Sequence, residues 1–272
     1  MNTTLTDQQI NDYREQGFLY VPQFLSADEV DQLKGAVLEA VGQMGNKKVA
    51  KNAAESDENM EDGESYYSKV FTQRLNLWKI NDTVKQYMLS EDLGRMITDM
   101  CGVDGFRVWH DQMLTKEPYG NPTAWHLDNP YWSFSSRDSV SIWIALEDAT
   151  YENGCMWFVP GSHKISTYDN VGIDENLASL FDVYPEMKEV DPIGVPMKAG
   201  DCSFHNGLTA HGAGANMTRQ RRIAMTCGYM PVGSTFNGQG NILSKNYLDT
   251  IEVGDELKND ENNPIVYSKD AA

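Results

Sequence analysis

Apolar positions at the front of the chain recur at helical spacing. Thr6 and Gln9 have the spacing of a capping box, Ile10 and Tyr13 supply an apolar face, and Gly17 offers a stop, so residues 7–16 read as a short helix. FLYVPQFL reads as a strand broken by Pro22. Ser26 then caps a second helix in which Val30, Leu33, Val37 and Val41 recur at helical spacing. A third helix spans Ser90 to Cys101, with Leu93, Met96, Ile97 and Met100 on one face and Gly102 just beyond. Between the second and third helices, residues 46–65 (NKKVAKNAAESDENMEDGES) carry many charges and almost no large apolar groups, the composition of a loop.

After Gly105 the period changes to two. Phe106, Val108, His110, Gln112 and Leu114 alternate with Arg107, Trp109, Asp111, Met113 and Thr115, as on a strand with two different faces. SVSIWIAL, GCMWFVPG, GDCSFH and RRIAMTCGYM continue the strand-like pattern, punctuated by Gly and Pro. The sum is a mainly β fold with flanking helices, a sandwich or open barrel on a helical buttress. No internal repeat is visible. Residues 165–198 form a long, acidic, irregular connection, the length expected of a functional lid or a disordered insertion.

Bulk numbers narrow the function classes. The 272 residues fit one large domain. A formal net charge of -18 argues against nucleic acid or anionic membrane as partners. No apolar run approaches the roughly 20 residues that cross a bilayer, and MNTTLTDQQ lacks the order of a signal peptide, so a soluble, cytoplasmic protein is expected. Cys101, Cys155, Cys202 and Cys227 are far apart, which suggests buried, reduced thiols.

Candidate chemistry centres on AWHLDNPYW. His126 and Asp128, at i and i+2 on a strand, would project from one face about 7 Å apart and converge on one ion. H-x-D alone is a weak signal. His211, downstream in HNGLTAHGAGANMTRQRRIAM, completes a set of two histidines and one carboxylate, the facial triad of non-haem Fe(II) oxygenases. Arg222 opens the next strand, and its planar fork of donors suits the far carboxylate of a dicarboxylate cosubstrate. Arg219 and Arg221 compete for that role, but alternation favours Arg222, which shares a face with Ala224 and Thr226. His110 reads as a core or rim histidine, His163 as a turn residue and His205 as a neighbour of the site; Lys79 and Lys116 read as solvated.

Taken with YREQGFLYVPQFLSADEVDQL, TKEPYGNPTAWHLDNPYW and GCMWFVPGSH, these motifs resemble the phytanoyl-CoA dioxygenase family of Fe(II)- and 2-oxoglutarate-dependent oxygenases over nearly the whole chain. The resemblance implies a double-stranded β-helix core of the jelly-roll, cupin-like kind, within a single domain over 1–272: a helical buttress over about 1–104, a core over about 105–232 and the lid-like insertion. It implies His126, Asp128 and His211 as iron ligands and catalytic centre, Arg222 as anchor of the 2-oxoglutarate tail, and Gln112 and Trp143 lining the cosubstrate pocket. The family often has a small hydroxyl residue two positions after the distal histidine, where this chain has Ala213.

Relatives that halogenate have a small residue in place of the acid, so Asp128 favours oxygenation. The implied reaction uses O₂ and 2-oxoglutarate, releases succinate and CO₂, and hydroxylates a small molecule. Asn129, Tyr131, Trp132 and Trp157 are expected to face that substrate, because small-molecule pockets combine an aromatic wall with a few polar groups. Two other readings remain at this point. A His₂Asp set with an open position also suits a zinc hydrolase, and a jelly roll could bind a metal or small molecule without turnover.

Overall fold

The computed structural model describes residues 1–50, 66 and 69–271. Most of the loop expected over 46–65 therefore lies outside the described residues. Helix α1 covers Asp7–Gln16, closed at one end by the Thr6–Gln9 capping box and at the other by Gly17 with φ 81°. Strand β1 is Phe18–Val21 and helix α2 is Ala27–Met44, with a second capping box from Ser26 to Glu29. Strand β2 (Thr72–Leu75), helix α3 (Asp82–Met88) and helix α4 (Glu91–Cys101) follow. The remaining strands are β3 (Gly105–Lys116), β4 (Thr123–His126), β5 (Val140–Ala145), β6 (Met156–Phe158), β7 (Ile193–Val195), β8 (Cys202–Asn206), β9 (His211–Ala213), β10 (Arg222–Pro231) and β11 (Ile265–Ser268).

The strands form two antiparallel sheets. The larger runs β1-β8-β5-β10-β3-β11, with β2 also on β3, and the smaller runs β4-β9-β6-β7. Strands that alternate between two facing sheets in this way make a double-stranded β-helix. One face of the large sheet carries Ile142, Ile144, Phe204, Ile223, Met225, Cys227 and Tyr229, and α2, α3 and α4 bury Leu33, Val37, Met88, Leu93 and Ile97 against it. The other face turns inward to the small sheet, where Trp143 and Ala224 meet Met156 and Phe158, and Phe18 stacks on Phe158 at 4.6 Å. The site must lie between the sheets, because only there do two inward faces meet.

β1 is the strand read in FLYVPQFL, ending just before Pro22, whereas β2 comes from the segment read as helical buttress and β11 lies beyond the expected core boundary near 232. In addition, the alternation along β3 is not continuous. The pairing with β10 slips where His110 faces Gly228 and Val108 faces Tyr229, which leaves Trp109 as a bulge. A bulge reverses which face each residue takes. Phe106 and Val108 accordingly pack on the helical side with Met113, while His110, Gln112 and Leu114 look between the sheets. Buried Asp111, on the opposite face, accepts the N–H groups of Leu77 and Trp78 at 2.6 and 2.8 Å and so clamps the chain after β2 to β3.

The four cysteines are unpaired, and three of them are buried. No helix of the described residues is long and apolar enough to cross a membrane. The insertion over 165–198 contains helix α5 (Leu180–Val183) and β7, and it is anchored by Leu180, Tyr184 and Met187 packing on Leu127, Val159 and Leu208.

Candidate active site

His126 ends β4 and His211 begins β9, and the two are register partners on neighbouring strands. One extra residue in β4 between Thr123 and His126 brings their rings to 4.2 Å between centroids. Each imidazole places Nδ1 2.9 Å from a carbonyl two residues before it, Ala124 for His126 and Thr209 for His211. A carbonyl only accepts, so both Nδ1 atoms carry the proton and both Nε2 lone pairs are free for a ligand. Burial lowers the pKa of both rings. They are unprotonated at neutral pH, as a metal ion requires.

Asp128 reaches the same point from a different backbone than the sequence spacing implies. β4 stops at His126, and Asp128 sits in a helical conformation (φ -78°, ψ -52°) heading the short turn Asn129–Tyr131. The turn, not strand pleating, swings its carboxylate over: Oδ1 lies 3.7 Å from His126 Nε2 and 3.6 Å from His211 Nε2. Ligand atoms of the three residues lie within 4.8 Å of one another, close enough to share one ion.

The second oxygen of Asp128 is also held. Ser141 donates to Oδ2 at 2.7 Å, and His205 Nε2–H donates to it at 3.1 Å. Burial opposes ionisation of Asp128, but in acid, where the rings are protonated, the charge of His211, the bond and charge of His205 and the charge of His126 outweigh it and push the carboxyl well below its ordinary range. His205 is thus an orienting partner whose ring also lies 4.4 Å from that of His211. Such partners typically contribute 10–100-fold to metal affinity. His205→Phe, which removes the N–H but keeps the ring, is expected to weaken Mn²⁺ or Co²⁺ binding by about that factor while the fold survives. Calorimetric titration with metal alone checks this, and affinity equal to the parent would leave His205 as packing only.

Beside the triad, a cavity of about 70 Å³ is lined by Gln112, Leu114, Thr123, Trp143, Met156, Ala213, Arg222 and Thr226 together with His126, Asp128 and His211. Arg222 is 2% exposed, and its guanidinium lies over the Trp143 ring at 5.0 Å. Its Nε and Nη1 have no hydrogen-bond partner, which leaves guanidinium donors free for a carboxylate. Arg219 and Arg221 are exposed. Lys116, expected to be solvated, is fully buried opposite Arg222 on β3, where it donates to the Asn121 carbonyl at 2.6 Å. Burial and the Arg222 charge push its pKa down to about 7. Facing Ala213, Thr123 supplies a hydroxyl from the adjacent strand in the same cavity.

A larger cavity of about 660 Å³ opens from His126 and Asp128. Tyr131, Trp132, Phe71 and His110 line it, with Gln112, hydrogen-bonded to Gln73, at the junction of the two cavities. Of the expected substrate residues, Tyr131 and Trp132 reach it and two do not. Asn129 is wholly buried, its Oδ1 accepting the Ser136 N–H at 3.0 Å, and it serves to shape the turn. Trp157 faces away, because its neighbours Met156 and Phe158 take the inward positions of β6, and it packs on Tyr151 at 5.6 Å. One wall went unread in the sequence: Asn241, Ile242, Leu243, Ser244, Lys245 and Leu248, from the segment after β10, where no period signals a role. Gly172 and Ile173 of the insertion also reach this cavity.

Comparison with known proteins bears on the family and the fold. The family model for phytanoyl-CoA dioxygenase matches residues 13–224. The chain is 26% identical over 253 residues to a methylphosphonate hydroxylase of Gimesia maris, spanning 92% of this chain and 88% of that one. It is 24% identical to a phytanoyl-CoA dioxygenase of Arabidopsis thaliana, spanning 81% and 87%. Among solved structures, the non-haem alpha-ketoglutarate-dependent carbocyclase SnoK from nogalamycin biosynthesis superposes with a TM-score of 0.76 at 27% identity, covering 96% of each chain. The epimerase SnoN, solved with Fe³⁺ and alpha-ketoglutarate, shares the fold with a TM-score of 0.78 at 24% identity. The matched segment carries both histidines, Asp128 and Arg222, and the chain belongs to the phytanoyl-CoA dioxygenase family of non-haem iron- and 2-oxoglutarate-dependent oxygenases.

Proposed function

We propose that this chain hydroxylates a small molecule in the larger cavity, with His126, Asp128 and His211 holding Fe(II) and Arg222 holding the tail of 2-oxoglutarate. The observation that carries the reading is the unpaired, buried guanidinium of Arg222 in a cavity shared with three converging ligand atoms. A hydrolytic zinc site would use the same triad but leave that cation unexplained. When bound, Fe(II) and 2-oxoglutarate supply the oxidising chemistry, converting O₂ and the cosubstrate to succinate and CO₂ as a substrate C–H bond is oxidised.

The chain's own residues do the rest. Ser141 and His205 keep Asp128 aimed, and the carbonyls of Ala124 and Thr209 keep both Nε2 atoms toward the metal position. Trp143 stacks under Arg222 and limits where the cosubstrate tail can lie, while Gln112 stands between cosubstrate and substrate cavities. Phe71, Trp132 and Leu243 wall off water around the reacting carbon. Methylphosphonate and hypophosphite, for which two relatives are named, are small anions. A 660 Å³ cavity with a mostly apolar wall fits a larger molecule.

The test is an anaerobic titration of metal-free protein with Fe(II) and then 2-oxoglutarate. A weak visible charge-transfer band is expected on addition of the second component and is expected to be lost in His211→Ala. Tight Zn²⁺ binding without any such band would instead favour a hydrolase.

A further inference from the structure

His110 is the one histidine whose ring makes no hydrogen bond among the described residues. His126, His163, His205 and His211 each have a ring nitrogen engaged, with Ala124, Arg14, Asp128 and Thr209 respectively. The ring of His110 is set instead between two indoles, 6.3 Å from Trp109 and 6.2 Å from Trp132, edge to face with the latter. It is 7% exposed, and its Nδ1 is buried without a partner. A buried polar group left without a partner is destabilising. Phenylalanine would fill the same aromatic slot without that cost, so packing gives no reason for an imidazole here.

Position gives one. The bulge at Trp109 turns His110 to the inner face of β3, where it lines the large cavity two residues from Gln112 at the junction with the cosubstrate cavity. Its register partner on β10 is Gly228, where a Cβ would lie 2.9 Å from the Trp132 ring; the bare glycine is what lets that indole settle beside the imidazole. Phe71, Leu75, Trp132, Ile173, Leu243 and Leu248 give the wall most of its apolar area, with Lys48 and Lys245 also lining the cavity.

We infer that His110 is a specificity-determining residue, the imidazole that reads a hydroxyl or carbonyl oxygen on an otherwise apolar, ring-sized substrate and so fixes which carbon lies over the metal position. The reaction at that carbon rests on the oxygenase reading above; the binding preference does not. Burial pushes the ring's pKa down to about 4. At neutral pH it therefore offers one N–H donor and one nitrogen acceptor and no charge, which serves an alcohol or ketone oxygen and does little for a carboxylate or phosphate.

Equilibrium dialysis of metal-free protein against two probes of nearly equal size, 2-naphthol and 2-methylnaphthalene, tests this. The expected preference for 2-naphthol over 2-methylnaphthalene is about tenfold greater in the parent than in His110→Phe, the ratio that one hydrogen bond of ordinary strength gives. His110→Gln, neutral with a donor and an acceptor, is expected to keep part of the preference, which separates hydrogen bonding from any loss of shape. Equal preference in the parent and both variants would overturn the inference and leave His110 carrying solvent. Failure of the parent to bind either probe would overturn the proposed substrate class. Because the dialysis contains no metal, its result is independent of the charge-transfer titration, which tests the oxygenase reading alone.

Discussion

Replacement of Asp128 by alanine is expected to abolish metal-dependent turnover. Asp128 supplies the only carboxylate of the three-residue set, with Oδ1 3.7 and 3.6 Å from the two histidine Nε2 atoms. Two neutral imidazoles would then face a divalent ion without the negative charge that offsets its own. Loss of a partner one layer out typically costs 10–100-fold in affinity, so loss of the ligand itself is expected to exceed about 100-fold. The variant also removes the acceptor for Ser141 and His205, leaving two donors aimed at an empty place. Asp128→Asn tests the charge separately: its amide oxygen keeps one acceptor, but a neutral group binds a hard cation far more weakly, and turnover is expected to stay near zero. Metal titration and succinate release read both effects. Parent-level succinate release from Asp128→Ala would remove Asp128 from the ligand set.

The triad shows how much of this site the sequence makes legible. His126 and His211 are readable because each sits at one terminus of a strand, His126 closing β4 and His211 opening β9, where a side chain is delivered to one end of a β-helix. Asp128 is readable as a residue but not as a geometry, since strand spacing predicts convergence by pleating and the chain uses a turn ahead of Pro130. His110 and Gln112 sit on the face expected of them relative to each other, yet Phe106 and Val108 do not, because a one-residue bulge at Trp109 leaves no mark in an alternating pattern. Trp157 fails for a related reason: in GCMWFVPG either parity is apolar, so only the fold decides that Met156 and Phe158 point inward. Lys116 reads as solvated by residue type and is buried, because its burial depends on Gly154 and Asn121 approaching from other strands and turns. The wall from Asn241 to Leu248 is least legible: it is recruited from an irregular segment, and only tertiary packing on Trp132 and Phe236 places it.

Arg222→Ala is expected to raise the 2-oxoglutarate concentration needed for half-maximal turnover by about 10²–10³-fold, with kcat much less affected. Removing one partner of a buried, hydrogen-bonded charge pair costs about 3–5 kcal/mol, and each 1.4 kcal/mol is about tenfold. Arg222 meets the conditions for that upper class: it is buried, and burial lowers its pKa only to about 10, so it remains a cation at neutral pH. Arg222→Lys is not expected to rescue, because a single ammonium cannot reproduce two parallel N–H groups stacked on Trp143. Stability should move the opposite way. Without 2-oxoglutarate, Nε and Nη1 of Arg222 are unpaired and Lys116 lies opposite, so deleting the guanidinium relieves a buried charge. The metal-free Arg222→Ala protein is therefore expected to melt at or above the parent temperature while losing the rise in melting temperature that Mn²⁺ and 2-oxoglutarate give the parent. A residue that served only to hold the fold together would show the reverse, a lower melting temperature with an unchanged 2-oxoglutarate requirement. That outcome would transfer the anchor role to Lys116 or leave the small cavity without one.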